Sequence, residues 1–194
     1  MNVVVLCEFS GIVREAFARC GHDAWSIDLL PSEQPSGQHV QARVENLSYE
    51  GVHLVIAHPP CTHLASSGAR WFAGKREEQQ EALAFVRWIL DLPVPRIALE
   101  NPVGVISTAI RKPDQIIQPW MFGHGETKAT CLWLKGLPKL VPTQVVEGRE
   151  ARCHRMPPSA DRWKNRSRTY LGIAEAMADQ WGSPPTPEAP VFSP

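Results

Sequence analysis

Asn2-Val3-Val4-Val5-Leu6-Cys7-Glu8-Phe9-Ser10-Gly11 is the stretch that decides the fold. Apolar residues run unbroken from Val3 to Cys7 and stop at an acid, an aromatic, a serine and a glycine. This is the pattern of a strand buried on both faces and ended by a turn. Ile12 to Cys20 follows with helical spacing at Val13, Ala16, Phe17 and Cys20, and Gly21 is a natural stop. Ala24 to Asp28 reads as a second short strand with an acid at its tip. Together they predict a strand–turn–helix–strand unit.

The same grammar continues downstream. Pro31 to Gln41 is polar and reads as loop. His53 to Ala57 is another buried strand, ending at His58-Pro59-Pro60-Cys61. Glu77 to Leu90 is an amphipathic helix carrying Leu83, Val86, Ile89 and Leu90 on one side. Arg96 to Glu100 is a strand ending at Asn101-Pro102. Lys128 to Leu134 alternates like a strand, Val145 to Ser167 reads as irregular, and Ile173 to Trp181 as a closing helix. The organisation predicted is one catalytic domain over 1–182 and a Pro-rich tail over 183–194. Strands alternating with helices imply an α/β, Rossmann-like, mostly parallel sheet with helices on both faces.

Composition narrows the class. The 194 residues suffice for one core, with 43% hydrophobic and 21% charged residues. Formal net charge is zero, so any basic surface must be local. The five cysteines (Cys7, Cys20, Cys61, Cys131, Cys153) are odd in number and lack a CxxC pair, which argues against a secreted disulfide framework and a zinc ribbon. No metal is expected. The opening residues lack the pattern of a signal peptide, and the chain reads as cytoplasmic, in a host cell's cytoplasm if phage-encoded.

In α/β sheets of this kind ligands bind at the carboxyl ends of the strands. Three strand ends are unusual. After the first, Phe9, Ser10 and Gly11 offer a ring that can stack and a backbone open to close approach, while Asp28 on the next strand suits a ribose diol. The alternative is a tight turn beside a surface aspartate. After the strand ending at Ala57, Pro59 and Pro60 fix a loop and remove two donors just before the Cys61 thiol. The alternative, a buried structural cysteine, fits less well after a break in the apolar run. After the RIAL strand, Glu100 is a carboxylate that must be paired, solvated or protonated; a structural helix cap is the alternative.

Phe-Ser-Gly, Pro-Pro-Cys and Glu-Asn-Pro, in this order, resemble motifs of the cytosine carbon-5 methyltransferases, which carry Phe-x-Gly-x-Gly, Pro-Pro-Cys and Glu-Asn-Val. Glu126-Thr127-Lys128-Ala129-Thr130 lies where that family has Gln-x-Arg-x-Arg on a strand. Tyr170-Leu171-Gly172 resembles the family's last motif. The likeness covers about residues 3 to 182 and is nearest to short phage-type forms. It departs at Val13 (the second glycine), His58 (a glycine before Pro-Pro-Cys), Arg43 (near the strand-three aspartate), His53 (where an aspartate is common) and Thr130 (the second arginine).

The resemblance implies an S-adenosylmethionine-dependent methyltransferase fold and DNA (cytosine-5-)-methyltransferase activity. Cys61 would be the nucleophile at carbon 6, Glu100 would protonate nitrogen 3, Asn101 would orient Glu100, and Lys128 would meet phosphate or the target nucleotide. Phe9, Ser10, Gly11, Asp28, Leu29, Pro59 and Gly172 would hold S-adenosyl-L-methionine. Amino-group methyltransferases place an aromatic residue after Pro-Pro; Cys61 stands there instead.

Where the family inserts a target-recognition domain, this chain has only the segment of about 135–168. Arg149, Arg152, Arg155, Arg162, Lys164, Arg166 and Arg168 make it basic, as for tracking the phosphates of duplex or single-stranded DNA with little base reading. The alternative is a solvated charged loop. A second copy or a partner protein is the other source of recognition surface. Other functions in view are the same chemistry on a free pyrimidine nucleotide and a catalytically silent nucleic-acid-binding relative.

Overall fold

The structure is a computed structural model and describes residues 1–34, 38–68 and 74–183. The Pro-rich tail from residue 184 on lies outside the described residues. The opening unit forms as its sequence dictates: β1 (Asn2–Leu6), α1 (Ile12–Arg19) and β2 (Asp23–Asp28). Then come β3 (His39–Gln41), β4 (Leu54–Ala57), α2 (Arg76–Leu90), β5 (Arg96–Pro102), α3 (Ile106–Ala109), β6 (Gln115–Ile117) and β7 (Thr130–Lys135). The chain closes with α4 (Arg152–Arg155), α5 (Arg162–Ser167) and α6 (Leu171–Trp181).

The strands form one seven-stranded sheet in the order β3-β2-β1-β4-β5-β7-β6. β1 pairs in parallel with β2 and β4, β4 with β5, and β2 with β3; β7 runs antiparallel between β5 and β6. The order reverses between β1 and β4, which is where a doubly wound sheet opens a crevice.

The pleat assigns side chains to two cores. Val3, Val5, Leu54, Ile56, Ala98 and Leu132 face a layer built from α1 (Val13, Ala16, Phe17) and α6 (Ile173, Ala174, Met177, Trp181). Leu6, Val55, Ala57, Ile97, Leu99 and Trp133 face α2 (Leu83, Val86, Ile89) and Ile106 of α3. Helices therefore cover both faces, as the unbroken apolar strands require.

Several boundaries differ from the sequence reading. β3 lies inside the segment read as loop; three residues are too few to show alternation, and pairing with β2 recruits them. Glu100, Asn101 and Pro102 belong to β5 itself, because β7 pairs with them through Leu132, Cys131 and Thr130. β7 starts at Thr130, so Lys128 precedes the strand. The segment read as irregular contains α4 and α5.

Buried Arg14 is the largest surprise in the frame. Its guanidinium donates to Ser26 Oγ (3.0 Å), Ser32 Oγ (3.2 Å) and Glu15 Oε1 (2.8 Å), tying α1 to β2 and the segment after it. A charge so far inside is tolerated because its donors are satisfied.

Candidate active site

The Cys61 loop is held at both ends. As β4 stops, the His58 amide still donates to the Leu6 carbonyl of β1 (3.0 Å). Asn101 Nδ2 donates to the Pro59 carbonyl at 2.8 Å. Beyond the thiol, the Leu64 and Ala65 amides fold back onto the Cys61 carbonyl (3.0 and 2.9 Å). The exit is pinned where Leu64 meets Gly104: Val105 N donates to the Leu64 carbonyl at 2.9 Å. A Cβ on Gly104 would lie 1.9 Å from that carbonyl oxygen, so glycine is needed there by contact.

Cys61, Glu100, Asn101 and Lys128 line one pocket, together with Phe9, Ser10 and Pro59. The structure thus brings the β1, β4 and β5 ends together. It also supplies two polar residues that sequence reasoning had not given a role. His58 Nδ1 lies 3.1 Å from Glu100 Oε2. Glu8, nearly fully buried, accepts from the Val13 and Arg14 amides (2.7 and 3.2 Å) and so caps α1. The available signal was positional, since each polar residue directly follows a buried strand.

The electrostatics of the pocket are uneven. Burial alone would raise the Glu100 carboxyl, but the hydrogen bond and charge of His58, the Lys128 ammonium and the Thr130 hydroxyl outweigh it and hold the group below its ordinary value. Glu8 is raised, because burial outweighs His58 and the two amides. Cys61 is exposed as a residue, yet neighbouring protein atoms strip enough water from the thiol to raise its pKa. Glu100 adds to that rise, and Lys128 and Arg166 oppose it.

The Asn101 amide, read as orienting Glu100, donates to the nucleophile loop. Lys128 does not extend toward solvent. Its ammonium donates to the Arg166 and Arg168 carbonyls (2.9 and 3.4 Å) and so draws the basic segment over the pocket.

A second, open cleft of 710 Å³ lies beside the first, lined by Asp28, Leu29, Arg43, Val44, Ala82 and Phe85 among others. Cys7 and Pro60 line both cavities. Cys7 adopts a left-handed conformation (φ 57°), which turns the chain at the end of β1. Asp28 Oδ1 accepts from the Leu30 amide (2.9 Å), and burial raises its carboxyl above the ordinary value despite that bond.

The residues read as a cofactor set are therefore divided. Asp28 and Leu29 line the open cleft, while Phe9, Ser10 and Pro59 line the Cys61 pocket. Gly11 has φ 70°, and a Cβ there would lie 2.7 Å from the Arg14 guanidinium and 2.9 Å from Gln34 Cγ. Its glycine serves a turn whose open side the protein fills itself. Gly172 packs on Phe122, where a Cβ would lie 2.0 Å from the carbonyl oxygen, and it lines neither cavity.

The basic segment is partly engaged within the protein. Arg168 pairs with Glu33 (2.7 Å), Arg152 with Glu150 and Glu126 (3.2 and 3.5 Å). Arg162 donates to the Met156 carbonyl, and Arg149 lies 4.0 Å from the centre of the Trp120 ring. Arg166 reaches the Cys61 pocket. Arg155 is exposed, and Lys164 stands 5.6 Å from the ring of exposed Trp163. Trp163 in turn approaches Phe9, with ring centres 6.0 Å apart.

No protein-family model and no curated protein matches the sequence. Among solved structures, the fold is similar to a prophage-encoded Escherichia coli protein assigned as a DNA modification methyltransferase. The TM-score is 0.53 at 17% identity, over 75% of this chain and 52% of that one. The chain thus spans about half the length of that relative. A DNMT2 mutant of Spodoptera frugiperda gives a TM-score of 0.47 at 14% identity, over 77% of this chain and 54% of that one. Sheet order, the antiparallel β7 and the first of these likenesses agree: the chain has the Rossmann-like fold of S-adenosylmethionine-dependent methyltransferases.

Proposed function

We propose that this protein transfers a methyl group from S-adenosyl-L-methionine to carbon 5 of cytosine in DNA through a covalent Cys61 adduct. The observation that carries the reading is one pocket holding a thiol and a buried carboxylate, Cys61 and Glu100, beside an open cleft with an acid in its wall. The cleft suits the cofactor: Leu29, Val44, Ala82 and Phe85 offer apolar surface to a flat ring, and Asp28 offers a carboxylate to a ribose diol. A ligand reaching from Asp28 past Cys7 and Pro60 would bring its far end to Phe9, Ser10 and Pro59. When bound, it supplies an electrophilic methyl group.

The chain's own residues then have distinct tasks. Cys61 as thiolate adds to carbon 6 of the ring. Glu100 binds the nitrogen 3 edge and passes it a proton, so that electron density returns to carbon 5. Asn101 keeps the thiol loop in register with β5. Lys128 and Arg166 favour the thiolate and offer cations to a phosphate. After methylation carbon 5 loses its proton to a base, the thiolate is expelled, and the ring regains its double bond. With only a short basic segment for recognition, base-sequence reading is slight, and a flipped or unpaired base is the substrate.

A second reading keeps the chemistry and changes the substrate to a free pyrimidine nucleotide. It is favoured by Arg166 and Lys128 lining the pocket while Trp163 and α5 lie over it. One experiment separates the two. Labelled methyl transfer is followed to duplex DNA, single-stranded DNA and free cytidine nucleotides, with Cys61→Ala in parallel. Label recovered as 5-methylcytosine in DNA, and lost in the variant, supports the first reading. Label in the nucleotide alone supports the second. Unchanged transfer by Cys61→Ala overturns both.

A further inference from the structure

Among the described residues, two buried side-chain polar atoms find no hydrogen-bond partner: His58 Nε2 and Asn101 Oδ1. Both residues line the Cys61 pocket. Leaving such atoms unpaired is costly, and a catalytic role is one reason a protein keeps them. Asn101 already has its structural duty through its amide, and His58 has none beyond Glu100. The His58 and Glu100 side chains are 9% and 15% exposed, so their contact is shielded from bulk water.

We propose that His58 is a positioning residue for Glu100, and that the imidazole and the carboxylate hold between them the one proton that nitrogen 3 of the pyrimidine takes up when Cys61 attacks. This rests on the cytosine reading above. Glu100 alone is a poor reservoir, since His58 and Lys128 favour its ionised form. A proton held on His58 Nδ1 against Oε2 is one hydrogen bond from the carboxylate that meets the ring.

The balance closes within the site. As the carbon–sulfur bond forms, the ring π electrons shift toward nitrogen 3, which takes a proton from Glu100. That proton reaches Glu100 from His58 Nδ1, so the pair starts as imidazolium and carboxylate and ends as imidazole and carboxylate. When the carbon–sulfur bond later breaks, nitrogen 3 returns its proton to the pair. The charged and titratable groups around His58 are Glu8 after β1, Glu100 of β5, Lys128 ahead of β7, the Cys61 and Cys7 thiols, and Arg166 and Arg168 of the basic segment.

The test compares wild type with His58→Gln, which can still hydrogen-bond but carries no exchangeable charge. Methyl transfer is measured across roughly pH 5.5–9. Wild-type kcat is expected to climb with the Cys61 thiolate and then to turn over into an alkaline fall as the pair empties. His58→Gln is expected to lose about 10- to 100-fold in kcat and to lose that alkaline fall, with cofactor affinity and melting temperature near wild type. A variant with the wild-type pH profile, or one whose loss follows weakened cofactor binding or unfolding, overturns the proposal.

A second readout needs no activity. NMR titration of the His58 ring is made in wild type and in Glu100→Gln. The midpoint is expected to move to lower pH once the carboxylate is neutral, and an unmoved midpoint overturns the shared proton. An inactive wild type whose His58 midpoint still responds to Glu100 would count against the methyltransferase reading while leaving the pair intact.

Discussion

The side-chain amide of Asn101 donates to the Pro59 carbonyl at 2.8 Å, joining the strand that carries Glu100 to the loop that carries Cys61. Proline 60 follows and brings no amide hydrogen, so the loop has few other ways to fix itself. Asn101→Ala leaves a buried carbonyl unpaired and is expected to lower stability by about 1–2 kcal/mol. Urea unfolding measures that cost. Under the proposed function kcat falls more than cofactor affinity, because the tie sets the thiol against the carboxylate and leaves the Asp28 cleft untouched. Equal losses in both would mean that Asn101 supports the whole fold.

The Cys61 thiol is raised first by burial and then by Glu100, with Lys128 and Arg166 pulling the other way. Its thiolate fraction therefore climbs only at a pH above the ordinary thiol value, and alkylation by iodoacetamide should climb with it. Glu100→Gln removes a negative charge that disfavours thiolate, so the Cys61 peptide should be alkylated faster at a fixed, mildly alkaline pH. Lys128→Ala should slow it. Peptide mass spectrometry distinguishes Cys61 from exposed Cys20. Identical rates in all three proteins would contradict this electrostatic account.

The opening β1–α1–β2 unit and the buried β4 and β5 were legible because strands covered on both faces leave unbroken apolar runs, and because α1 and α2 show their periodicity. The meeting of the Cys61 and Glu100 strand ends was legible for the same reason. β3, β6 and α3 were not: the two strands draw their hydrogen bonds from neighbours, and α3 is a four-residue helix, too short to show a period. Arg14 was hidden because one-dimensional spacing makes an arginine polar surface, whereas Ser26, Ser32 and Gln38 make it core only after folding. The His58–Glu100 contact joins residues 42 apart in sequence, and no local signal encodes such a pair.

Arg14 makes its own prediction. Arg14→Met keeps much of the volume but leaves buried Ser26 short of a partner and strands the Glu15 carboxylate. The expected loss is about 3 kcal/mol, read by urea unfolding. Because Gly11 packs against the guanidinium, the turn before α1 should loosen as well, seen as faster amide exchange at Val13. A variant as stable as wild type would show that the apolar stem, rather than the charge network, does the packing.

Asp28 has two duties that a pair of substitutions separates. One oxygen accepts from the Leu30 amide, and under the proposed function the carboxylate also takes the ribose diol. Asp28→Asn keeps an acceptor for Leu30 but loses the charge; Asp28→Ala loses both. Calorimetry should show S-adenosylmethionine binding weakened about tenfold in the alanine variant, with the asparagine variant between it and wild type. Burial raises this carboxyl. The tighter, ionised form is therefore present above the raised value, and affinity is lost as pH falls through it, at a higher pH than an ordinary carboxylate would give. An alanine variant with wild-type affinity would place the cofactor elsewhere.

The basic segment separates into charges held by the protein and charges left to a partner. Arg168 is bound to Glu33, whereas Arg155 is exposed and Lys164 flanks an exposed tryptophan. If the segment tracks DNA, Arg155→Ala and Lys164→Ala should each reduce the slope of log affinity against log salt by about 0.9 on duplex or about 0.7 on single strands. Arg168→Ala should change it less, because that charge is already neutralised by Glu33. Glu33→Ala should then act in the opposite sense to the lysine and arginine variants: it frees Arg168 for phosphate, steepens the slope and tightens binding. Fluorescence anisotropy across a salt series decides the matter. An unchanged slope in all four variants would make the run a solvated face and would favour the free nucleotide over DNA as substrate.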